Sequence, residues 1–365
     1  MLGNVAIPLI ALSAVLTAHT AENRDTRGIQ FFGFEHFENF TSSTNLPAGE
    51  RTLTSPLITT RHGWNELVAS WNAVITNSAG LGIEFRAVHG ERATKFYHLG
   101  HWATQPGSQK RESVPGQKDD DGDVQTDTLL LTQTATNFQM RVTLRGGPPW
   151  PELKYIAISL LDTNATPKPL GPSTNAWGTA LPVPERSQLH YAGGEAWCSP
   201  TVVSMLLGFW AKKLDRPELD CLPPAVAAEI HDPKWEGTGN WSFNMAFAGS
   251  RPGMRAMAVR LSDLAEVEEW VAHGFPIGLS ICSNRLNNRG RKPRGHLVAC
   301  IGFTATGDVI LNDPGRSREI HRVVPRERLI DAWSYSKNTA YLIFPDHARL
   351  PDDRFGHWTI SAGSR

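Results

Sequence analysis

The sequence predicts an all-β, sandwich-like part followed by an α+β part. Two observations predict this architecture. Short apolar runs separated by Gly, Pro and Asp fill residues 28–165, and no long helical pattern interrupts them. Residues 187–348 carry a broad apolar helix face first and several apolar strands afterwards. The chain has 365 residues, which is enough for two domains of about 150 residues each.

The composition excludes several classes of protein. The chain has 36 Lys plus Arg and 36 Asp plus Glu, so its formal net charge is zero. A nucleic-acid binder or a polybasic membrane-surface protein normally carries a basic excess. The four cysteines form no C-x-x-C pair, which argues against a disulfide scaffold and a structural zinc site. We therefore expect no nucleic-acid partner, no metal and no other cofactor.

The N-terminal segment is typical of an exported protein. Residues 5–18 read VAIPLIALSAVLTA, an apolar run of signal-peptide length that is short for a membrane span. The segment before it contains no Lys or Arg. We interpret residues 1–21 as a signal peptide, with an uncleaved anchor and a buried helix as alternatives. The protein is then secreted or periplasmic, with no membrane domain beyond this segment.

The first part is predicted to be a β-sandwich-like accessory domain over residues 28–165. Residues 81–88 and 138–144 alternate apolar and polar, and residues 126–133 and 153–161 are apolar runs of strand length. Residues 64–73 fit either a short helix or another strand. A glycan or a protein is the ligand that we expect for such a domain.

An acidic run at residues 118–123 is compared with a calcium-binding loop. An EF-hand loop beginning at Asp119 requires Gly at its sixth position and Glu at its twelfth. These positions hold Val124 and Leu130, so the pattern does not match. A looser calcium loop is the alternative to a solvated turn between strands, and the sequence favours the turn.

A proline-rich linker over residues 166–186 separates the two parts. Its five prolines make helix and interior strand unfavourable; they are Pro167, Pro169, Pro172, Pro182 and Pro184. Beyond it the sequence predicts two helices, at 199–213 and 263–272, the second capped by Ser262 and ended by Gly274. Apolar strands are predicted at 275–281, 296–303, 308–312 and 339–344, and residues 349–365 are predicted to be a C-terminal tail.

Cys198 is placed where a thiol becomes reactive. It stands at the predicted start of the first helix, with Pro200 in the first turn. Unpaired backbone N–H groups and the positive end of the helix dipole stabilise a thiolate there, and the same N–H groups can hold an oxyanion. The alternative is that Cys198 is an inert, small apolar residue.

A nucleophilic cysteine needs a base and an orienting group, and one predicted hairpin offers both. His296 opens the strand HLVACIGF, residues 304–307 form a turn, and the returning strand ends at Asp313 before Pro314. His296 and Asp313 therefore lie at the same end of the hairpin. Asn312 is the rival orienting group, because strand parity decides which side chain faces the histidine. An ordinary Asp-Pro turn with a surface histidine is the alternative.

Three segments together resemble the family-39 cysteine peptidases, which comprise bacteriocin-leader peptidases and stand-alone secreted relatives. The matching text is WCSPT at 197–201, GHLV at 295–298 and NDP at 312–314, and the resemblance covers residues 182–345. It implies a papain-like fold for residues 187–348. The chain has no Walker motif, so leader cleavage coupled to export is not supported.

The resemblance implies a role for four residues. Cys198 corresponds to the nucleophile, His296 to the general base and Asp313 to the residue that orients the histidine. Gln188 corresponds to the glutamine whose amide helps to bind the oxyanion. Two features depart from the family pattern: Ser199 replaces a glycine, and Gln188 lies farther before the cysteine than usual.

The function predicted from these residues is that of a secreted thiol hydrolase, a cysteine peptidase that forms an acyl-enzyme. A cell-wall amidase or acyl transferase with the same triad is the first alternative, and a non-catalytic binding module is the second. The expected substrate is a peptide or a peptidoglycan-type molecule.

The remaining cysteines and one polar segment have structural interpretations. Cys282 and Cys300 lie on neighbouring predicted strands, where they either form a disulfide or are both buried. Cys221 has no evident partner. Residues 239–244 are turn-like and either border the cleft or pack under a loop.

Overall fold

The computed structural model describes residues 28–352, except for 44–46, 77, 106, 108 and 167–169, and the backbone of residues 358–360. The predicted signal peptide, residues 1–21, lies outside the described residues. Among the helices that are described, none combines the length and the apolar character needed to cross a membrane. The described chain is a mixed α/β structure with two large, mainly antiparallel sheets.

The first sheet is built mostly from the N-terminal half. Its ten strands before the linker are β1 (Ile29–Phe34), β2 (Thr41–Ser43), β3 (Glu50–Thr54), β4 (Ile58–Val74), β5 (Gly80–His89), β6 (Arg92–Ala93), β7 (Tyr97–Trp102), β8 (Gly122–Gln125), β9 (Thr128–Arg145) and β10 (Glu152–Leu161). The path through the sheet runs β1-β10-β4-β9-β3-β2, and β5 and β8 also pair with β9. The predicted strands at 126–133 and 138–144 are thus two ends of one long strand.

Residues 64–73, for which the sequence allowed a short helix or a strand, form part of strand β4. Nearly every residue from Leu67 to Ala73 is buried, on both faces of the strand. One face packs on the first sheet's own core, where Trp64 meets Phe138 edge to face. The other face is covered by the second half of the chain, as the contact between Trp71 and Phe243 shows. A strand buried on both faces loses the polar alternation that identifies strands in a sequence.

The second sheet and the helices come from the C-terminal half. The strands are β11 (Thr179–Ala180), β12 (Met254–Arg260), β13 (Ile277–Cys282), β14 (Gly295–Phe303), β15 (Val309–Asn312), β16 (His321–Val324) and β17 (Thr339–Pro345). The helices are α1 (Cys198–Lys213), α2 (Pro223–Ile230), α3 (Trp241–Ser250), α4 (Leu264–Ala272), α5 (Ser283–Leu286) and α6 (Arg326–Ser334). The sheet order is β12-β17-β13-β14-β15-β16, with β11 beside β14. Helix α1 packs against this sheet and is buried along most of its length.

Most elements predicted after the linker are present, with three corrections. The N-cap of α4 is Asp263 rather than Ser262, because the Asp263 carboxylate accepts the backbone N–H of Ala265 at 2.9 Å. Residues 239–244 are not only a turn, since α3 begins at Trp241 with Asn240 as its cap. Within the predicted linker, β11 adds a short strand to β14. Gly274, in the left-handed region, follows α4 as predicted.

The C-terminal segment returns to the first sheet. The backbone of β18 (Trp358–Ile360), within the predicted tail, pairs in parallel with β1. The chain therefore begins and ends its described part on the same sheet.

The two sheets meet along β12, an edge strand of the second sheet. Its outward backbone N–H groups are satisfied by side chains of the first sheet. Ala256 donates to Asn72 Oδ1, Ala258 to Ser70 Oγ and Arg260 to Ser159 Oγ, each at 3.0 Å. These three polar side chains are fully buried. They give the open edge of β12 the hydrogen bonds that an added strand would otherwise supply.

Candidate active site

The turn before α1 places Cys198 at the helix N-terminus. Gly193 has φ of +77°, a conformation that favours glycine. Gly194 packs against the backbone, since a Cβ there would lie 2.0 Å from the Gln188 carbonyl oxygen. The N-cap residue, Trp197, gives no side-chain hydrogen bond to the first N–H groups of the helix. These donors are therefore left to the thiol and to whatever binds beside it.

The structure brings Cys198, His296 and Asp313 together. His296 Nε2 lies 2.7 Å from Asp313 Oδ1, and the His296 side chain is close enough to the Cys198 thiol to lower the pKa of that thiol. Because Nε2 faces the carboxylate, Nδ1 is the ring nitrogen available to the thiol. The arrangement is that of a nucleophile, a base and an orienting carboxylate.

The charges of this group favour a thiolate beside an imidazolium. Burial alone would lower the pKa of His296, but the hydrogen bonds to Asp313 and Cys198 outweigh it and raise that pKa to about 10. Burial alone would raise the pKa of Cys198. The hydrogen bond with His296 and the backbone N–H groups of Leu297 and Ser199 outweigh burial, and the pKa of the thiol is lowered.

Asp313 is held as a carboxylate by three donors. Its Oδ1 accepts the His296 ring and the Gly315 backbone N–H at 3.0 Å, and its Oδ2 accepts Arg322 Nη1 at 3.1 Å. Burial would raise the pKa of Asp313, yet these donors, His296 above all, lower it. Gly315 leaves room for the pair, since a Cβ there would lie 3.0 Å from His296 Cε1.

Asn312, the rival orienting residue, points elsewhere. It pairs with Ala299 in the hairpin, and its Nδ2 donates to the Val183 carbonyl at 3.2 Å. Strand alternation places its neighbour Asp313 on the histidine side. Of the two candidates, Asp313 is therefore the residue that contacts His296.

Gln188 lies in the wall of the same cavity but is already engaged. Its Nε2 donates to the Gly194 carbonyl at 3.0 Å and to the Glu195 carbonyl at 2.6 Å. Its backbone N–H donates to the Pro314 carbonyl at 3.0 Å, next to Asp313. Gln188 thus joins the turn before the nucleophile to the loop that holds the carboxylate. Its part in binding an oxyanion stays a prediction.

Arg322 and Gly315 were not identified from the sequence. Arg322 reaches Asp313 because it pairs with Leu311 across the β15–β16 ladder. That register depends on the irregular turn between β15 and β16, whose sequence carries no clear turn motif. Gly315 stands after Asp-Pro, where a glycine fits an ordinary turn equally well.

The other cysteines do not form the disulfide that the sequence left open. Cys282 pairs with Gly295 and Cys300 with Ile277, so the two thiols stand five strand positions apart, about 16 Å. A disulfide requires Cα atoms within about 7 Å of each other. Both thiols are free and buried, and burial raises the pKa of Cys300 to about 12.

A cavity of about 1130 Å³ lies over the three residues and is lined by both sheets. The first sheet contributes Glu66 of β4 and residues 125–128, the tip of the β8–β9 hairpin. Asp127 at this tip accepts the Trp241 backbone N–H at 2.6 Å, which fixes the hairpin against the start of α3. The sequence did not predict that the N-terminal half borders the cleft.

One wall of the cavity carries an exposed aromatic side chain. Trp235 has 47% of its surface exposed and packs over Gly237 and Gly239. A Cβ on either glycine would lie 2.7 Å from the indole ring. The two glycines therefore allow the ring to lie against the backbone at the cleft rim.

The comparisons with known proteins agree with this geometry. Residues 41–157 match the model of the peptidase C39 N-terminal domain, and residues 180–341 match that of the Peptidase_C39 like family. No curated protein matches the sequence. A solved structure described as a C39-like peptidase from Bacillus anthracis is 17% identical and covers 46% of this chain and 96% of its own. Its TM-score of 0.35 is too low to support an argument about the fold. The two family models confirm the resemblance to the C39 peptidases that the sequence predicted, and they extend it to the N-terminal half.

Proposed function

We propose that this protein is a cysteine peptidase that cleaves peptide bonds through Cys198, His296 and Asp313. The observation that carries the proposal is Cys198 at a helix N-terminus, beside the hydrogen-bonded His296–Asp313 pair and open to a large cavity. The match of residues 180–341 to the C39-like family supports it. We further propose a papain-like fold for residues 187–348 and an all-β accessory domain for residues 28–165.

The reaction follows from the protonation state of the pair. The Cys198 thiolate attacks the carbonyl carbon of the scissile amide, and the C–O double bond becomes a C–O⁻ single bond. Protonated His296 gives its proton to the amide nitrogen, the C–N bond breaks, and the amine leaves. Water then adds to the thioester, with His296 taking one of its protons, and the thiolate departs as the acid forms.

The helix N-terminus supplies the oxyanion site in this mechanism. The Cys198 backbone N–H lies beside the attacked carbon, and the helix dipole favours negative charge there. Gln188 is the second donor that we propose. Because its amide hydrogens bind the Gly194 and Glu195 carbonyls, it would give up one of these bonds when the oxyanion forms.

Export and the accessory domain complete the proposal. We propose that residues 1–21 are removed as a signal peptide, which Edman sequencing of the mature protein would test. The first sheet borders the cavity through residues 125–128, so we propose that the accessory domain contacts the substrate, whether peptide or glycan.

Substitution of the nucleophile tests the mechanism. Cys198→Ala should reduce peptide hydrolysis by about 10³-fold or more, because it removes the thiolate that forms the acyl-enzyme. Peptide and peptidoglycan substrates are compared in the same assay. Cys221→Ala, which removes a thiol outside the cavity lining, serves as the control and should retain activity. Unchanged hydrolysis by Cys198→Ala would overturn the mechanism, and hydrolysis of peptidoglycan alone would reassign the enzyme as an amidase.

A further inference from the structure

A short loop beside the catalytic group carries a concentrated positive charge. Residues 289–294 read RGRKPR and connect α5 to β14; we call this segment the basic loop. Its four cationic residues are exposed, and it ends two residues before His296. An extended chain advances about 3.3 Å per residue, so the loop reaches the edge of the catalytic site.

The basic loop presents two of its cations to the cleft. Arg289 and Arg294 line the cavity that contains Cys198 and His296. Arg291 instead lies 3.4 Å from Asp331 Oδ1, outside the cavity lining. The loop therefore has a cleft side and a solvent side, and the two sides can be tested separately.

The two cleft-side arginines lack a carboxylate partner. In the described part of the chain, no acidic side chain lies within 4.0 Å of Arg289 or Arg294. In the same cavity lining, Arg316 pairs with Glu319 at 2.9 Å and Arg322 pairs with Asp313 at 3.1 Å. The uncompensated charge on this side of the cleft thus belongs to the basic loop.

The same cavity also carries two exposed carboxylates, which lie in other segments of the chain. Glu195, just before the nucleophile, and Glu236, beside the exposed Trp235, are exposed and line the same cavity. Across the described residues, neither forms a salt bridge. The cleft therefore carries unpaired charge of both signs, with Glu195 in the turn that leads to Cys198 and the two arginines in the loop that leads to His296.

The backbone of the basic loop is held in place. The Asn284 side-chain amide donates to the Lys292 backbone carbonyl at 2.9 Å. The backbone carbonyl of Asn284 accepts the Arg289 backbone N–H at 2.7 Å. Ser283 donates its N–H to the Arg294 carbonyl at 2.9 Å. These hydrogen bonds tie both ends of the loop to α5, so the backbone that carries the two arginines is held in position.

The chemistry of the proposed reaction tells which part of a substrate meets the basic loop. The leaving nitrogen must lie against His296, because it takes a proton from the imidazolium, while the carbonyl oxygen lies at the N-terminus of α1. The substrate segment that follows the scissile bond then runs along the histidine wall. We propose that the basic loop binds an acidic side chain on this leaving-group side, so that the enzyme selects peptides with Asp or Glu after the cleaved bond. This inference rests on the proposed peptidase function.

A peptide library tests the selection. The full-length protein cleaves a synthetic mixture of peptides of varied sequence, and mass spectrometry records the residues in the three positions after each cut. Asp and Glu should be cut about fivefold more often than Lys and Arg there, the discrimination expected of exposed charge pairs. The double variant R289E/R294E should reverse the preference. The double variant R291E/K292E makes the same total charge change outside the cavity lining and should leave the preference unaltered.

The outcomes separate this inference from the proposed function. Cleavage with no charge preference, or with the same preference in R289E/R294E, would overturn the basic-loop assignment and leave the peptidase intact. If no peptide is cut, the proposed function fails, and binding to Cys198→Ala is measured with fluorescent Asp-rich and Lys-rich peptides. Tighter binding of the acidic peptide, reversed by R289E/R294E, would retain the site as an acidic-peptide binding site; equal binding would remove it.

Discussion

At the scale of single residues, the proposed mechanism makes the reactivity of Cys198 depend on the charge of Asp313. The carboxylate is buried, deprotonated and in contact with His296 Nε2. It therefore stabilises the imidazolium, and the imidazolium in turn stabilises the thiolate. Arg322 fixes the second carboxylate oxygen from the neighbouring strand.

Removing this charge should shift the pH dependence of activity. In Asp313→Asn, one of the interactions that raise the pKa of His296 to about 10 loses its charge, so the pKa of His296 falls and that of Cys198 rises. The alkaline limb of the kcat/KM profile should move to lower pH and the acid limb to higher pH, each by about one pH unit or more. Asp331→Asn, which changes an exposed carboxylate outside the cavity lining, is the control. An unaltered profile in Asp313→Asn would show that the carboxylate does not set these pKa values.

The sequence predicted these three residues because each is marked by local structure. A helix start identifies Cys198, and a hairpin with a recognisable turn brings His296 and Asp313 to one end. The choice between Asp313 and Asn312 required knowing which face of the strand each side chain occupies. That face depends on the bulge in the β14–β15 pairing, which the sequence does not reveal. Arg322 and Gly315 act across irregular turns, where single-sequence patterns carry little information.

At the scale of elements, the β14–β15 hairpin and the loop after it hold His296 and Asp313, the proposed catalytic pair. Asp313 follows the last residue of β15, and the next residues turn back beneath the histidine ring. Gly315 is the closest part of this turn to the ring. The turn is therefore shaped to leave space for the His296–Asp313 contact.

A methyl group in this turn should disturb catalysis without unfolding the protein. In Gly315→Ala, the added Cβ would lie 3.0 Å from His296 Cε1 and 3.3 Å from Asp313 Oδ1, so the ring must shift. We expect kcat to fall roughly tenfold or more, because a small displacement of a catalytic group has a large effect. Gly295→Ala, next to His296 but with nothing within 4 Å of its Cβ, should keep near wild-type kcat. Equal kcat in both variants would contradict the tight-packing argument.

Elements were predicted well where an apolar run of strand length ends at a turn signal, even though β13, β15 and β17 are buried throughout. The strands β13, β14, β15 and β17 appear close to their predicted positions, and so do α1 and α4. The segment in β4 was ambiguous because the second half of the chain covers its outer face. The start of α3 was read as turn-like because its cap and first turn are polar and aromatic.

At the scale of the whole molecule, the two sheets form one cavity and share hydrogen bonds. Asn72 of β4 both accepts the Ala256 N–H at 3.0 Å and donates to the Ala256 carbonyl at 2.8 Å. Gly249 of α3 packs directly on this amide, since a Cβ there would lie 2.1 Å from Asn72 Cγ. We call this contact between β4 and β12 the joint. It is buried and polar, and both hydrogen-bonding groups of Ala256 are paired there.

This joint should make the two halves unfold together. Asn72→Ala leaves a buried N–H and a buried carbonyl of β12 unsatisfied, so the free energy of unfolding should fall by about 2–4 kcal/mol. Asn65→Ala, on the same strand, removes hydrogen bonds to Thr163 that are exposed to solvent, and it should cost under about 1 kcal/mol. Urea unfolding followed by circular dichroism and tryptophan fluorescence measures both. Two separate transitions in the wild-type protein would contradict a shared joint.

The contact between the halves could not be predicted from the sequence. It depends on three small polar side chains, Asn72, Ser70 and Ser159, on apolar strands. In a sequence such residues look like ordinary strand positions. Only the edge of β12, itself not predicted, gives them their partners.

The most direct test of the account is the alkylation rate of each cysteine by iodoacetamide, measured by mass spectrometry from about pH 5 to about pH 9. We predict that Cys198 reacts far faster than the other thiols and remains reactive well below the ordinary thiol pKa of about 8.5. Cys300, buried and with its pKa raised to about 12, should remain unmodified in the folded protein. A Cys198 that reacts no faster than Cys221, with an ordinary thiol pKa, would contradict the claim that this cysteine is an activated nucleophile.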